Sequence, residues 1–184
     1  MIRVSPGDTI IEASTGNTAL ALALVSKQRG YKLKSVVSTK TTPGMGAILE
    51  AHGVDVIWCE PKTGMKSAID LAKQLASNHS WFSPCQFENE ANVDAHYTTT
   101  GPEIWTQMEG RIDAVIAGVG SGGTITGIGR YLKEQNPEIE IILADPEGSI
   151  VAPLVNDGSV VSPGEWLIEG IGEDFIPPIT DLEV

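Results

Sequence analysis

Ala114-Val-Ile-Ala-Gly-Val-Gly-Ser-Gly-Gly-Thr124 passes from an apolar stretch into four glycines, and the amphipathic stretch Ile125 to Glu134 follows directly. The apolar residues read as a buried strand and the periodic stretch as a helix. Gly120, Gly122 and Gly123 can take backbone angles barred to other residues, so successive amides can converge on an anion at the positive end of that helix. Ser121 lies among them, and Thr124 adds a hydroxyl donor. No lysine lies inside the loop, which excludes a Walker-type nucleotide loop. Gly118, Gly120 and Gly123 also fit G-x-G-x-x-G, and Asp145 ends the next strand, so a dinucleotide fingerprint stands as a rival. That fingerprint normally opens a βαβ fold, whereas three or four strand-helix units precede it here. A third reading, that the glycines merely form a tight turn, needs fewer of them than are present.

Working outward, periodicity places strands at Asp8 to Glu12, Leu33 to Ser38, Asp55 to Cys59, Trp81 to Ser83, Ala114 to Ala117 and Ile139 to Ala144. Helices are expected at Thr18 to Gln28, Gly44 to His52, Gly64 to Asn78, Thr99 to Met108 and Thr124 to Glu134. Strands alternating with helices mean an α/β fold with an open, mostly parallel sheet and helices on both faces. The tail from Pro146 to Val184 is rich in glycine and proline and shows little periodicity. The chain starts almost directly at a strand and stops without a closing helix, so it reads as truncated at both ends.

With 184 residues the chain is long enough to bury a proper core, and its net charge of −12 argues against a nucleic-acid partner. No apolar run reaches the ~18 to 20 residues of a membrane helix, and Met1-Ile-Arg-Val-Ser-Pro6 lacks a signal peptide's apolar stretch. No membrane partner is expected. Cys59 and Cys85 are too few for a disulfide framework and stand in no metal-ligand spacing with His52, His79 or His96. No metal site and a cytoplasmic setting follow as expectations.

Glu12-Ala-Ser-Thr-Gly-Asn-Thr-Ala19 falls where the first strand hands over to the first helix, the ligand edge of an open α/β sheet. Ser14, Thr15, Asn17 and Thr18 crowd hydroxyl and amide groups around Gly16, an arrangement suited to a carboxylate. Ordinary helix capping is the plain alternative, and it explains one or two such residues rather than four. A third stretch, Gln86-Phe-Glu-Asn-Glu-Ala-Asn-Val-Asp-Ala-His96, reads as a loop whose amide side chains could orient a substrate, with Gln86 best placed. His96 reads as a histidine packed beside a helix N-terminus more readily than as a general base, because no nucleophile or orienting acid is paired with it by spacing.

These segments, with Glu169-Gly-Ile-Gly172 and Phe175-Ile-Pro177, resemble the cysteine synthase and cystathionine β-synthase family of pyridoxal-phosphate enzymes, whose fold is fold type II, tryptophan synthase β-like. The pattern Glu-Pro-Thr-Ser-Gly-Asn-Thr-Gly corresponds to Glu12 to Ala19, and Gly-Thr-Gly-Gly-Thr to Gly120 to Thr124. Gln86-Phe87, His96 and Thr99-Thr-Gly-Pro-Glu-Ile-Trp105 match as well. The resemblance covers nearly the whole chain and turns the glycine loop from a pyrophosphate site into a cofactor-phosphate site. It implies that Gly120, Ser121, Gly122, Gly123 and Thr124 bind the phosphate of pyridoxal 5′-phosphate, that Asn17 bonds its phenolic oxygen, and that Gly170 lies close to its ring. It implies that Ser14, Thr15, Gly16 and Thr18, helped by Gln86, bind the carboxylate of a serine-type amino acid, to which a thiol then adds in a β-replacement. It further implies a homo-oligomer, a cofactor-binding core of residues 1–33 and 80–184, and a smaller mobile subdomain of residues 34–79.

Departures from the family pattern are Ala13 for a proline, Ser14-Thr15 in reversed order, Ala19 for a glycine, and Ser38-Thr-Lys40 for Met-Pro-Glu. The family's Schiff-base lysine lies upstream of the Glu12 strand, and its pyridine-facing serine lies beyond Val184. Neither is among these residues, so no catalytic residue is assigned, and the cofactor is expected to be held non-covalently at most. The chain then reads as the central part of a β-replacement enzyme, inactive alone. A stand-alone binding module that keeps the phosphate and carboxylate sites is the alternative.

Overall fold

The computed structural model describes residues 4–14, 16–60 and 64–184. They divide into two compact units, Met1–Cys85 and Gln86–Val184.

In the first unit, strands β1 (Thr9–Ala13), β2 (Lys32–Ser38) and β3 (Asp55–Cys59) form a parallel sheet in that order. Ile10 lies opposite Leu33 and Val36 opposite Ile57. Parallel strands need crossovers, which α1 (Asn17–Arg29) and α2 (Pro43–Ala51) supply; α3 (Gly64–His79) follows β3. Side chains alternate across a strand, so neighbours in β1 serve opposite faces. Ile10 packs with Leu33 and Val37 against Ala19 and Ala23 of α1 and Leu49 of α2. Ile11 and Ala13 pack with Val36 against Ala68 and Ala72 of α3. Helices thus cover both faces, and a one-residue slip of β1 would exchange the two sets.

Trp81 to Ser83, expected as a strand, makes only an isolated parallel bridge, Phe82 to Ile10. Strand β2 shares its sheet with β1 through the β1–β2 pairing, and by contact the chain divides after Cys85.

In the second unit, Glu90 to Gln107 is one helical run: α4 (Glu90–Ala95), a π-helical turn (His96–Thr100) and α5 (Gly101–Gln107). Strand β4 (Ala114–Ala117) leads to α6 (Gly123–Gln135), and β5 (Glu140–Leu143) to α7 (Val151–Asp157). Strands β4 and β5 pair in parallel, Ala114 opposite Glu140. The face carrying Val115, Ala117, Ile141 and Leu143 packs on Ile125, Ile128 and Leu132 of α6 and Val151 of α7. On the other face Ile116 is 67% exposed and Ile142 39%.

Two expectations are corrected here. The stretch from Gln86 to His96, read as a loop, becomes helical at Glu90, where Asn89 caps α4 by accepting from the Ala91 amide at 3.0 Å. The tail, read as aperiodic, holds α7.

Candidate functional site

The glycine loop lies in the second unit, between β4 and α6. Gly122 stands at the N-cap of α6 with φ 87, an angle that favours glycine. A Cβ there would also run into Thr180, whose hydroxyl is buried without a partner. From the other side the loop is braced by the tail: the Gly172 amide donates to Val119 O at 2.8 Å, and a Cβ on Gly120 would strike the Gly170 carbonyl. Gly170 itself has φ 89, while a Cβ built on it meets nothing within 4 Å. Within this chain its glycine is therefore required by backbone angle rather than by space.

Helix α4 and the π turn support the loop's hydroxyls. Asn92 Nδ2 donates to Gln86 O at 3.0 Å and to Ser121 Oγ at 2.8 Å. A Cβ on Gly123 would collide with the same Asn92 side chain, so glycine is what lets α6 start this close to α4. His96 Nε2 lies 3.0 Å from Thr124 Oγ1 and Nδ1 3.0 Å from Thr100 Oγ1. Burial lowers the His96 pKa and so favours the neutral ring. His96 thus lies inside the helical run from Glu90 to Gln107 and faces the start of α6 through Thr124, rather than the start of a helix of its own.

The tail is fastened onto α6 by Asp181, which accepts from Arg130 Nε at 3.0 Å and whose amide donates to Thr126 Oγ1 at 3.0 Å. Further along the same segment Glu173 is only 7% exposed. Its amide donates to Ser149 Oγ at 3.1 Å. Burial above all, then the charges of Asp174 and Asp145, push its carboxyl up to about 8. Asn92 is one of the amides of the stretch from Gln86 to His96, read from the sequence as orienting a substrate rather than as bracing the loop; Arg130 and Glu173 were not singled out, and nothing in the spacing of Glu173 shows its burial.

The carboxylate candidates stand in the first unit, apart from Gln86, which opens the second; Thr15 lies outside the described residues. Ser14 is 4% exposed, and its Oγ accepts from the amides of Gly16 at 3.3 Å and Ala19 at 3.2 Å. Its oxygen is therefore occupied in capping α1, and its hydrogen remains to be donated. Asn17 is exposed at the start of α1, with Thr18 and Gly16 half-buried beside it. Among the described residues no group of three or more His, Cys, Asp or Glu could hold a metal ion, and no helix is long and apolar enough to cross a membrane.

Amides and hydroxyls at a helix start, on a parallel α/β scaffold, are an arrangement in which proteins of the open-sheet class bind anions. The chain belongs to the family described as pyridoxal-phosphate dependent enzyme, which matches residues 2–184. It is 40% identical over 183 residues to a cysteine synthase of Staphylococcus aureus (strain Mu50 / ATCC 700699), covering 99% of this chain and 57% of that protein. It is 41% identical over 188 residues to a cystathionine beta-synthase of Apis mellifera, covering 98% of this chain and 36% of that protein. Among solved structures, an O-acetylserine dependent cystathionine beta-synthase from Helicobacter pylori superposes with a TM-score of 0.86 at 41% identity, covering 96% of this chain and 56% of that one. An O-ureido-L-serine synthase superposes with a TM-score of 0.87 at 30% identity, covering 98% of this chain and 55% of that one. The fold is thus that of the fold type II pyridoxal-phosphate enzymes, and the chain spans a little over half the length of most of these relatives.

Proposed function

We propose that this chain is the central part of a pyridoxal-phosphate enzyme that carries out β-replacement on a serine-type amino acid with a thiol nucleophile, in cysteine or cystathionine synthesis. The observation that carries the reading is the loop Gly120 to Thr124, whose amides and two hydroxyls gather at the start of α6 and are supported by Asn92 and His96. Thr180 already occupies the place a Cβ on Gly122 would take, so the loop stays bare backbone at the start of α6, and bare amides there suit a phosphate. When bound, the cofactor supplies the electron sink for chemistry at the substrate's α and β carbons.

The chain's own residues bind and orient. Gly120, Ser121, Gly122, Gly123 and Thr124 hold the phosphate, Asn17 the phenolic oxygen, and Gly170 borders the ring. Ser14, Thr15, Gly16, Thr18 and Gln86 take the substrate carboxylate, with the free hydrogen of Ser14 as one donor. The setting proposed is a cytoplasmic homo-oligomer, the former in keeping with the free thiols of Cys59 and Cys85.

Equilibrium binding of pyridoxal 5′-phosphate, read by fluorescence, tests the site. Gly122→Asp puts a side chain into Thr180 and a negative charge into the cradle, so affinity is expected to fall well beyond tenfold. Unchanged affinity in a folded variant would refute the phosphate assignment.

A further inference from the structure

We propose that Met45 is a site of reversible oxidation that governs the carboxylate loop at the start of α1: as a thioether it packs on Gly16 and leaves the loop to the substrate, and as a sulfoxide it fills the loop with an oxygen of its own. This rests on the reading of Ser14 to Thr18 as the carboxylate site and adds a means of closing it.

The placing of Met45 follows from the way α2 is seated. A turn at the end of β2 leads the chain into α2, with Ser38 O accepting from the Thr41 amide at 2.9 Å and Ser38 Oγ from the Lys40 amide at 3.1 Å. Gly46 then lies against the Trp58 indole of β3, where a Cβ would stand 2.4 Å from Cζ2, so glycine is what lets α2 approach this closely. The residue before it is thereby carried across to α1. A Cβ on Gly16 would lie 3.4 Å from Met45 Cε and 3.7 Å from Sδ, so the end of the thioether rests beside Gly16 without crowding it.

The place where it rests is short of acceptors. Gly16 is the N-cap of α1 and has no side chain to offer, and no acidic residue stands in the first turn. Ser14 Oγ answers the amides of Gly16 and Ala19, while its own hydrogen, in a residue 4% exposed, remains to be donated. A thioether sulfur is a weak acceptor and leaves these donors to the substrate carboxylate. A sulfoxide oxygen is polar and competes for them.

The oxidant is hydrogen peroxide. A lone pair on Sδ takes one peroxide oxygen, the O–O bond breaks, an S–O bond forms, and water leaves, so that sulfur is oxidised and peroxide reduced. Met45 is half-buried and within reach of so small a molecule. The new oxygen carries partial negative charge at the positive end of α1, where the hydrogens that would hold a carboxylate turn to it. Oxidation of a methionine ordinarily disrupts the packing around it. Here it adds an acceptor to a helix start, so stability holds or rises while ligand binding falls, and that pairing separates a switch from damage.

L-Serine titrated into the 184-residue chain, followed through the backbone amide NMR signals of Gly16, Asn17 and Ala19, reads the proposal. After peroxide treatment, with the sulfoxide at Met45 verified by peptide mapping, affinity for L-serine is expected to fall about tenfold or more with no fall in the urea midpoint. Methionine sulfoxide reductase should restore the affinity. Met45→Leu, given the same peroxide, should keep its affinity although Met108, 50% exposed, is oxidised as before. Met45→Gln, whose amide carbonyl stands in for the sulfoxide oxygen, should bind weakly with no peroxide at all. Should one variant fail to fold, the other and the reductase still decide. Met45 that stays reduced while Met108 is oxidised, undiminished affinity in the oxidised chain, an equal loss in Met45→Leu, or affinity and midpoint falling together would each overturn this inference and leave the carboxylate site standing. L-Serine that shifts none of these amides in the untreated chain would overturn both.

Discussion

Glu173 makes the protein's stability depend on pH in a direction opposite to that of a paired surface carboxylate. Its folded pKa of about 8 stands above the ordinary 4.5, so between those values the native state binds a proton that the unfolded chain has released. The stabilisation is complete below about pH 4.5 and is lost as pH rises towards 8, at a slope on the order of 1 kcal/mol per pH unit. Glu173→Gln keeps the shape and removes the titration. Urea denaturation at pH 6 and pH 8 should therefore show the wild-type midpoint falling more steeply than that of the variant, and parallel losses in the two proteins would contradict the burial argument. Serine at position 149, bonded to both the amide and the carbonyl of Glu173, fixes the segment in which this acid is enclosed.

Among the elements, α1 shows how a binding candidate can double as a structural one. Ser14 satisfies two amides at its start, so Ser14→Ala is expected to lower stability by about 1 kcal/mol, measurable as a shift of the denaturation midpoint whether or not any ligand is present. No loss without ligand would return Ser14 to a purely ligand-binding role. Strands β3 and β4 were legible to the residue: Val56 to Cys59 and Ala114–Ala117 are short apolar runs, the first between Asp55 and Glu60 and the second between Asp113 and Gly118. Helix α4 was not, because it buries only Val93 and so presents no apolar period. Helix α7, seven residues long with Pro153 inside it, was hidden for want of length. The phosphate loop was legible because its function demands glycines at fixed places, whereas the partners of Ser121 and Thr124 are neighbours only through the crossing of α4 and α6, a tertiary fact that spacing along the chain does not carry.

For the molecule as a whole, the 184 residues alone should form no product from pyridoxal 5′-phosphate, O-acetylserine and a thiol. All eight lysines follow the Glu12 strand, while the family resemblance places the Schiff-base lysine before it. Borohydride reduction with peptide mapping checks this, and a stoichiometric adduct on one of these lysines would overturn it. The uncovered face of β4 and β5 bears on the same molecule in another way. A sheet with Ile116 and Ile142 in water gains free energy from whatever lies down on it. If a second copy is what lies there, stability becomes a property of the solution rather than of the chain: by mass action the melting temperature should climb with protein concentration and Ile116→Lys should flatten that climb, whereas a melting temperature independent of concentration would exclude such a copy.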